Sequence, residues 1–267
     1  MATTILFIHG MFQNPVSWNK WVLYFESKGY KCQSPAWPFH EGEPEDLRKN
    51  IPSELGDLRL ETVIDKFAAM AQCCDEPPIV IGHSVGGLIA QVLVSRQLAK
   101  AAICISSVAP NRMLAFDWSF LKNTLSIANP LKGDEPFLMD AAGFHANFAN
   151  CLTKVESDAA FEETATHDSR NILRDCMGVA GEIDMELPHV PLLFIGAQKD
   201  EIVPPSLNEK NSKAYKDDGS IADFIEFPHR GHFICGEPGW EEVAEHCYDW
   251  LETLSLRPLT LAHSTMG

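Results

Sequence analysis

Residues 79–88 carry the pattern that decides the fold, and they read Ile79-Val80-Ile81-Gly82-His83-Ser84-Val85-Gly86-Gly87-Leu88. Three branched apolar residues predict a buried strand, and the apolar periodicity of 85–98 predicts a helix directly after it. Ser84 stands between Gly82 and Gly86 in a G-x-S-x-G pattern. Such a tight strand-to-helix turn needs small residues at these two positions, and the serine hydroxyl then projects at the helix N-terminus. The pattern predicts a nucleophilic serine, and a glycine-rich turn that serves packing alone is the alternative.

The composition restricts the classes of protein to which the chain can belong. Its 267 residues are enough for one sizeable core, and 45% apolar and 22% charged residues are ordinary for a globular protein. The net charge of -16 repels phosphate backbones, so no nucleic-acid partner is expected. No apolar run approaches the roughly 20 residues that cross a bilayer, so no membrane span is expected.

The N-terminus and the cysteines favour a reducing compartment. The first residues enter a strand-like run and lack the basic region, apolar region and cleavage site of a signal peptide. The eight cysteines form no C-x-x-C pair, and the chain is far larger than a disulfide-stapled mini-domain. We therefore expect reduced cysteines, a cytoplasmic location and no metal site.

Short apolar runs alternate with helical patterns along the chain. The apolar runs predict strands at 5–8, 31–36, 79–81, 102–105, 192–195 and 224–227. Helical periodicity predicts helices at about 18–28, 61–73, 85–98, 206–216 and 239–254. This alternation predicts an α/β fold, in which a mostly parallel sheet carries helices on both of its faces.

One long stretch, 110–187, interrupts the alternation because it contains no good strand. Its aromatic residues have spacings that suit helices, and they include Phe116, Trp118, Phe120, Phe137, Phe144, Phe148 and Phe161. We predict a helical insertion at 110–187 within a core formed by 1–109 and 188–256, and a poorly ordered tail at 257–267.

A serine hydroxyl is a weak nucleophile without a base, and the chain offers candidates for both a base and an acid. His232 lies just past the last predicted strand, and Asp200 follows the predicted strand at 192–195. His229 competes with His232 for the base, and Glu201 competes with Asp200 for the acid. These residues follow the carboxyl ends of strands, where open α/β sheets bind ligands.

Four motifs extend this pattern over nearly the whole chain: Phe7-Ile8-His9-Gly10-Met11, Gly82-His83-Ser84-Val85-Gly86-Gly87, Gly196 through Pro204, and Gly231-His232-Phe233. With these motifs the sequence resembles the α/β-hydrolase superfamily, whose triads run serine, acid, histidine along the chain. The resemblance implies catalytic roles for Ser84, Asp200 and His232. The glycine before His232 favours it over His229, and the family position of Asp200 favours it over Glu201.

The resemblance also implies an architecture. Most members carry two strands before the one that corresponds to 5–8, whereas here that strand begins at about residue 4. We therefore expect an α/β-hydrolase sheet of about six strands, with helices on both faces. The insertion at 110–187 falls where relatives carry a lid or cap.

An oxyanion hole is implied by the same resemblance. In relatives, the residue after the His-Gly pair of the first motif donates its backbone N–H to the oxyanion, and Met11 matches that residue. Val85, which follows the nucleophile, is the second expected donor. His9 is then a residue that shapes the loop, and His83 is a packed neighbour of the serine turn.

Four aromatic residues are candidates for the substrate pocket: Phe12, Trp18, Phe144 and Phe148. They suggest an apolar acyl or aryl group as the substrate, although aromatic residues at helical spacing usually belong to a core. The segment 37–42 follows the second strand and is a candidate for the border of the cleft.

Together these features predict a serine hydrolase that needs no cofactor. Its substrate would be a small molecule, an apolar ester, lactone or thioester, cleaved through an acyl-enzyme intermediate. A cofactor-free lyase, a dioxygenase or a carbon–carbon hydrolase on the same scaffold is one alternative, and a ligand-binding receptor is another. The sequence predicts neither the substrate itself nor the oligomeric state.

Overall fold

Six strands form one parallel sheet. The computed structural model describes residues 3–114 and 130–256. The strands are β1 (Thr4–Ile8), β2 (Lys31–Gln33), β3 (Ile79–His83), β4 (Ala101–Ile105), β5 (Leu192–Ala197) and β6 (Ala222–Phe227). Their order across the sheet is β2-β1-β3-β4-β5-β6, and all neighbouring strands run parallel. The predicted α/β fold with a six-stranded parallel sheet is confirmed.

The helices occupy the connections between these strands, except the last helix, which follows β6. They are α1 (Asn19–Ser27), α2 (Pro44–Lys49), α3 (Leu60–Gln72), α4 (Val85–Ser95), α5 (Asn111–Leu114), α6 (Ala141–Gly143), α7 (Lys154–Thr164), α8 (Arg170–Cys176), α9 (Pro205–Ala214) and α10 (Trp240–Thr253). A π-helical turn, Phe144–Phe148, follows α6 directly. Within the described ranges, no helix combines the length and the apolar character that a membrane crossing requires.

Two elements end earlier than the sequence predicts. Strand β2 stops at Gln33 because Pro35, two residues on, has no N–H with which to extend the ladder. Helix α4 stops at Ser95 because Gln97 adopts a left-handed conformation with φ of 59°. The N–H of Leu98 then donates back to the carbonyl of Leu93, which closes the helix end.

The two faces of the sheet pack against different helices. On one face, Leu6, Val80 and Phe194 belong to a buried cluster that includes residues of α3, α4, α8 and α9. On the other face, Phe7 and Ile81 belong to a cluster with residues of α1 and α10. Because both faces are buried, the strands are apolar at nearly every position, as the short apolar runs of the sequence indicate.

An inserted segment (106–191) connects β4 to β5, and its described part contains helices and no strand. Phe144 and Phe148 share one face, as their spacing predicts, with stacked rings whose centroids are 4.9 Å apart. They pack with Phe161 of α7 and with Phe233, which lies in the loop after β6. Other predictions, the tail at 257–267 and the aromatic residues at 116, 118 and 120, lie outside the described residues.

Trp21 of α1 is fully buried, and its indole Nε1 donates to the carbonyl of Cys235 at 2.8 Å. We expect Trp21→Ala to lower the free energy of unfolding by about 3–5 kcal/mol, because a large cavity and an unpaired carbonyl remain. Urea denaturation measures the change. Leu23→Ala on the exposed side of the same helix is the control, with an expected change within about 0.5 kcal/mol. Equal losses in both variants would contradict the assignment of this core.

Candidate active site

Ser84 occupies the sharp turn between β3 and α4. Its backbone adopts φ of 56° and ψ of -119°, a region that residues with a side chain rarely enter. Hydrogen bonds hold Ser84 on both sides of its Cα. Its N–H donates to Ile105 O at 2.9 Å, and its carbonyl accepts from Val108 N–H at 3.1 Å. The neighbouring strand therefore supports a strained conformation that presents the hydroxyl.

Gly82 and Gly86 are required by this turn. A Cβ atom on Gly82 would lie 2.1 Å from the carbonyl oxygen of Gly86, and one on Gly86 would lie 2.2 Å from the carbonyl oxygen of Ile8. Both distances are far inside van der Waals contact with backbone that cannot move aside. The helix can therefore leave the serine at this angle only with glycine at both positions.

His232 and Asp200 meet in the loops after β6 and β5. Nδ1 of His232 donates to Oδ2 of Asp200 at 2.7 Å, and both side chains are buried. The other carboxylate oxygen of Asp200 accepts the N–H groups of Ile202 and Val203, each at 2.8 Å. Because the carboxylate accepts a hydrogen bond from Nδ1–H, it favours the tautomer in which Nε2 is left as an acceptor.

Ser84 lies on the same cavity as His232. Within 3–114 and 130–256, no hydrogen bond joins the hydroxyl of Ser84 to His232. Such bonds are often long without a substrate and shorten when one binds. The structure thus brings the imidazole and the carboxylate into contact and places the hydroxyl beside the same space.

His83 packs behind His232. Nε2 of His83 donates to the backbone carbonyl of His232 at 2.8 Å, and the two ring centroids are 4.7 Å apart. Burial lowers the pKa of His83 well below its ordinary value of 6.5, and the neighbouring His232 acts in the same direction. His83 therefore stays neutral and fixes the loop that carries His232.

Met11 and Val85, the expected oxyanion donors, both line this cavity. Val85 is the first residue of α4, where an N–H has no acceptor within the helix. In the described part of the chain, the N–H of Met11 likewise has no hydrogen-bond acceptor. A Cβ atom on Gly10 would lie 2.8 Å from Cβ of Ser84, so the segment after β1 lies directly against the serine turn.

His9 shapes that segment. Its Nδ1–H donates to the carbonyl of Gly10 at 2.9 Å, and its Nε2 accepts the N–H of Trp37 at 3.2 Å. Burial lowers the pKa of His9 well below 6.5, with His40 adding to the effect, so the ring is neutral. This arrangement fits a structural part for His9.

The cavity has a volume of about 310 Å³ and a mainly apolar wall. It is lined by Met11, Phe12, Ser84, Val85, Val108, Phe137, Leu138, Met139, Asp140, Gly143, Asn147, Phe148, Leu173, Glu201, Ile202 and His232. Two of the aromatic pocket candidates, Phe12 and Phe148, lie on it.

The other two aromatic candidates do not line this cavity. Trp18 is buried beneath the sheet, with its ring centroid 5.1 Å from that of Phe7. Phe144 packs behind Phe148, in contact with Phe161, and so belongs to the small core of the inserted segment. The sequence shows that these side chains are buried but not which neighbours bury them.

Most residues of the cavity wall were not predicted from the sequence. Val108 follows the end of β4, and that position alone could have indicated it. Phe137 and Leu173 come from the inserted segment, where no motif marks the residues that face inward. Of the rival residues, His229 is exposed, and Glu201 is an exposed residue of the cavity wall.

Comparison with known proteins agrees with this geometry. A family model described as the Alpha/beta hydrolase family matches residues 5–246. The chain belongs to this family. The predicted membership is thereby confirmed. No curated protein matches the sequence significantly.

Several solved structures share the fold of this family member. A pyrethroid hydrolase from Sphingobium faniae JZ-2 has a TM-score of 0.71 and 17% identity, covering 96% of this chain and 100% of its own. An extracellular alpha/beta-hydrolase from a Paenibacillus species has a TM-score of 0.69 and 16% identity, covering 92% and 98%. Methylketone synthase I from tomato has a TM-score of 0.70 and 12% identity, covering 95% and 99%. At these identities the similarity establishes the fold alone.

Glu237 is a buried acid behind the loop that carries His232. One of its oxygens accepts the N–H of Gly231 at 3.3 Å, and the other is buried and has no partner among the described residues. Burial raises the pKa of Glu237 to about 7; the charge of Arg230 opposes this rise, and Asp200 adds to it. The group therefore holds its proton more tightly in the folded state than in the unfolded state.

This raised pKa predicts a pH-dependent stability. The contribution of the protonated carboxyl is complete below about pH 4.5 and is lost as the pH rises through about 7. Glu237→Gln keeps a neutral group, so its free energy of unfolding should rise relative to wild type between pH 5 and pH 8. Urea denaturation at several pH values measures the difference. Glu241→Gln, at an exposed position of α10, is the control, and a pH-independent difference for Glu237→Gln would contradict the prediction.

Proposed function

We propose that this α/β hydrolase is a serine hydrolase that cleaves a small, largely apolar ester, lactone or thioester. The observation that carries the proposal is the 2.7 Å hydrogen bond between Asp200 and His232, at a cavity that Ser84 also lines. A buried imidazole that is oriented by a carboxylate is the arrangement that turns a serine hydroxyl into a nucleophile.

In the proposed mechanism, Ser84 Oγ attacks the substrate carbonyl while Nε2 of His232 takes the hydroxyl proton. Asp200 keeps the imidazole in the required tautomer and stabilises the imidazolium that forms. His232 then gives the proton to the leaving group, which departs as an acyl-enzyme forms on Ser84. In the second half, His232 takes a proton from water as the water oxygen attacks the acyl carbon. The bond between that carbon and Ser84 Oγ then breaks, His232 returns the proton to Oγ, and the acid product leaves.

The backbone N–H groups of Met11 and Val85 would stabilise the oxyanion of both tetrahedral intermediates. Both residues line the cavity beside Ser84, and among the described residues their N–H groups have no hydrogen-bond acceptor. One such donor typically contributes about 3–4 kcal/mol to the transition state, because it is oriented before the charge develops.

The walls of the cavity support an apolar, uncharged substrate. The buried part consists of apolar side chains such as Val85, Val108 and Leu173. Asp140 and Glu201 are exposed residues of the same wall, so carboxylates stand at its opening. They would disfavour the entry of an anionic substrate and favour the departure of a carboxylate product.

We propose further that 110–187 acts as a cap over a core formed by 1–109 and 188–256. The support is that this stretch supplies a large share of the cavity wall, including Phe137, Phe148 and Leu173. A cap that forms the wall would determine which acyl or alcohol groups fit.

The alternatives differ in what happens at Ser84. Solved structures with this fold include a protein named methylketone synthase, and another with homology to tobacco salicylic acid binding protein 2. Fold similarity therefore does not separate a hydrolase from a lyase, an oxygenase or a receptor. Turnover of an ester through an acyl-enzyme on Ser84 is expected of the hydrolase alone, because a lyase, an oxygenase or a receptor needs no acyl-enzyme.

We expect the wild-type protein to hydrolyse p-nitrophenyl esters and to react with a fluorophosphonate probe at Ser84. Ser84→Ala should lower kcat by about a thousandfold or more and abolish labelling, since the nucleophile is gone. Spectrophotometric assays and mass spectrometry of the labelled peptide measure both effects. The exposed-serine variant Ser27→Ala is the control and should behave as wild type. Full turnover by Ser84→Ala would refute the proposal.

The size of the cavity predicts a dependence on chain length. Leu173 is buried in the wall, so Leu173→Phe should fill part of the space. We expect kcat/KM for p-nitrophenyl octanoate to fall by about tenfold or more, whereas that for the acetate should change less than about threefold. Met177→Phe, at a partly exposed position just after α8, is the control. Equal losses for both esters would show that Leu173 does not limit the acyl chain.

A further inference from the structure

The segment after β1 is hydrogen-bonded to the inserted segment. The backbone N–H of Phe12 donates to Oδ2 of Asp168 at 3.1 Å, and the carbonyl of Phe12 accepts the N–H of Thr166 at 3.0 Å. The hydroxyl of Thr166 also donates to the carbonyl of Gln13 at 3.3 Å. Both polar groups of the Phe12 backbone are therefore held by residues of the inserted segment.

Phe12 needs this support because its backbone is in the left-handed region, with φ of 64°. A bulky residue rarely adopts this conformation unless its surroundings impose it. The N–H of Phe12 shares a peptide plane with the carbonyl of Met11, and only the φ and ψ rotations of Met11 separate that plane from the N–H of Met11. Holding the Phe12 N–H therefore fixes the carbonyl side of Met11 and narrows the directions in which the N–H of Met11 can point.

Asp168 is itself rigid. Its backbone N–H and carbonyl both pair with Phe137 at 2.8 Å, and its Oδ1 accepts the N–H of Ser169 at 2.8 Å. Phe137 is a residue of the cavity wall, and its ring lies 5.7 Å from that of Phe12. The carboxylate is fully buried, and it therefore presents a fixed acceptor to the segment after β1.

His40 neutralises part of the charge on this carboxylate. Its Nδ1–H donates to the carbonyl of Pro38 at 3.0 Å, and its Nε2 is 3.5 Å from Oδ2 of Asp168. At that separation the pair attracts mainly through charge and not through a well-formed hydrogen bond. Burial is the largest single effect and opposes the charged form of His40, but Asp168, the carbonyl of Pro38 and Glu41 together outweigh it and raise the pKa of His40 above 6.5.

Stability alone does not account for a carboxylate at this place. A buried ion pair is commonly no more stable than apolar side chains of the same volume, because both charges lose their hydration. The carboxylate does satisfy one specific need here, an acceptor for the N–H of Phe12 next to the proposed oxyanion donor.

We propose that Asp168 is a positioning residue for the oxyanion hole: by holding the Phe12 peptide, it directs the N–H of Met11 towards the developing oxyanion. The inserted segment thus contributes to the chemistry as well as to the wall of the cavity. This inference rests on the proposed function, in which Met11 donates to the oxyanion. Asp168 acts through Phe12 and touches no reacting atom.

The test compares an oxygen ester with the matching thionoester, in which sulfur replaces the carbonyl oxygen. The N–H groups of an oxyanion hole stabilise a developing O⁻ better than the larger and more weakly accepting S⁻. Asp168→Ala removes the acceptor, and Asp168→Asn keeps one oxygen in nearly the same shape. We expect kcat for the oxygen ester to fall by about 10- to 100-fold in Asp168→Ala, with KM within about threefold. The ratio of oxygen-ester kcat to thionoester kcat should also fall in Asp168→Ala. It should fall by a smaller factor in Asp168→Asn.

Asp175→Ala is the matched control. Asp175 is also a carboxylate of the inserted segment that accepts a backbone N–H from another part of the chain, that of Leu60 at 3.1 Å, and it pairs with Arg59. Neither Asp175 nor its partners Arg59 and Leu60 line the cavity, so its loss should leave the ratio of the two substrates unchanged.

Each outcome decides the inference. A folded Asp168 variant with an unchanged substrate ratio, or the complete unfolding of both variants, would assign Asp168 to fold stability alone. If Asp168→Ala does not fold, Asp168→Asn supplies the measurement. Failure of the proposed function is a separate result, because the wild-type protein would then turn over neither ester and would not depend on Ser84.

Discussion

The close approach of helix α4 to the end of β1 is the constraint on which the rest of the site depends. It brings the backbone of Gly86 so near to the carbonyl of Ile8 that no side chain fits between them. This contact sets the angle at which α4 leaves the sheet. Because Ser84 forms the turn into α4, the same contact imposes the positive φ of Ser84. It also places the segment after β1 beside the serine, so Ser84 and Met11 line one cavity.

The remaining parts of the site are brought to this point by the parallel order of the sheet. Because all strands run the same way, the loops after β3, β5 and β6 emerge at the same edge. Asp200 and His232 meet there, and Phe148 of the inserted segment packs on His232 with its ring centroid 5.0 Å away. Exclusion of water by this ring strengthens the interaction between the carboxylate and the imidazole.

Features that depend on neighbours in the chain were predicted more successfully than features that depend on residues far apart in the chain. The turn around Ser84 was predictable because its steric demand falls on residues two positions away in the chain. Phe144 and Phe148 show where such reasoning ends: their spacing correctly places both on one face, yet only Phe148 reaches the cavity. Trp18 failed as a pocket residue for a related reason, since its ring packs on Phe7 in the core on the opposite face of the sheet from Met11 and Phe12.

The sequence by itself determined the α/β fold, the six-stranded parallel sheet and membership of the hydrolase family, because strand periodicity, glycine positions and the order of motifs are all read along the chain without knowledge of its contacts. Only the tertiary structure decided which side chains line the cavity and which partners the buried polar groups find. The contact of Asp168 with Phe12 joins residues 156 positions apart, and no local pattern marks it. A hydrogen bond of that range exists only after the inserted segment has packed on the core, since packing alone brings its two atoms together.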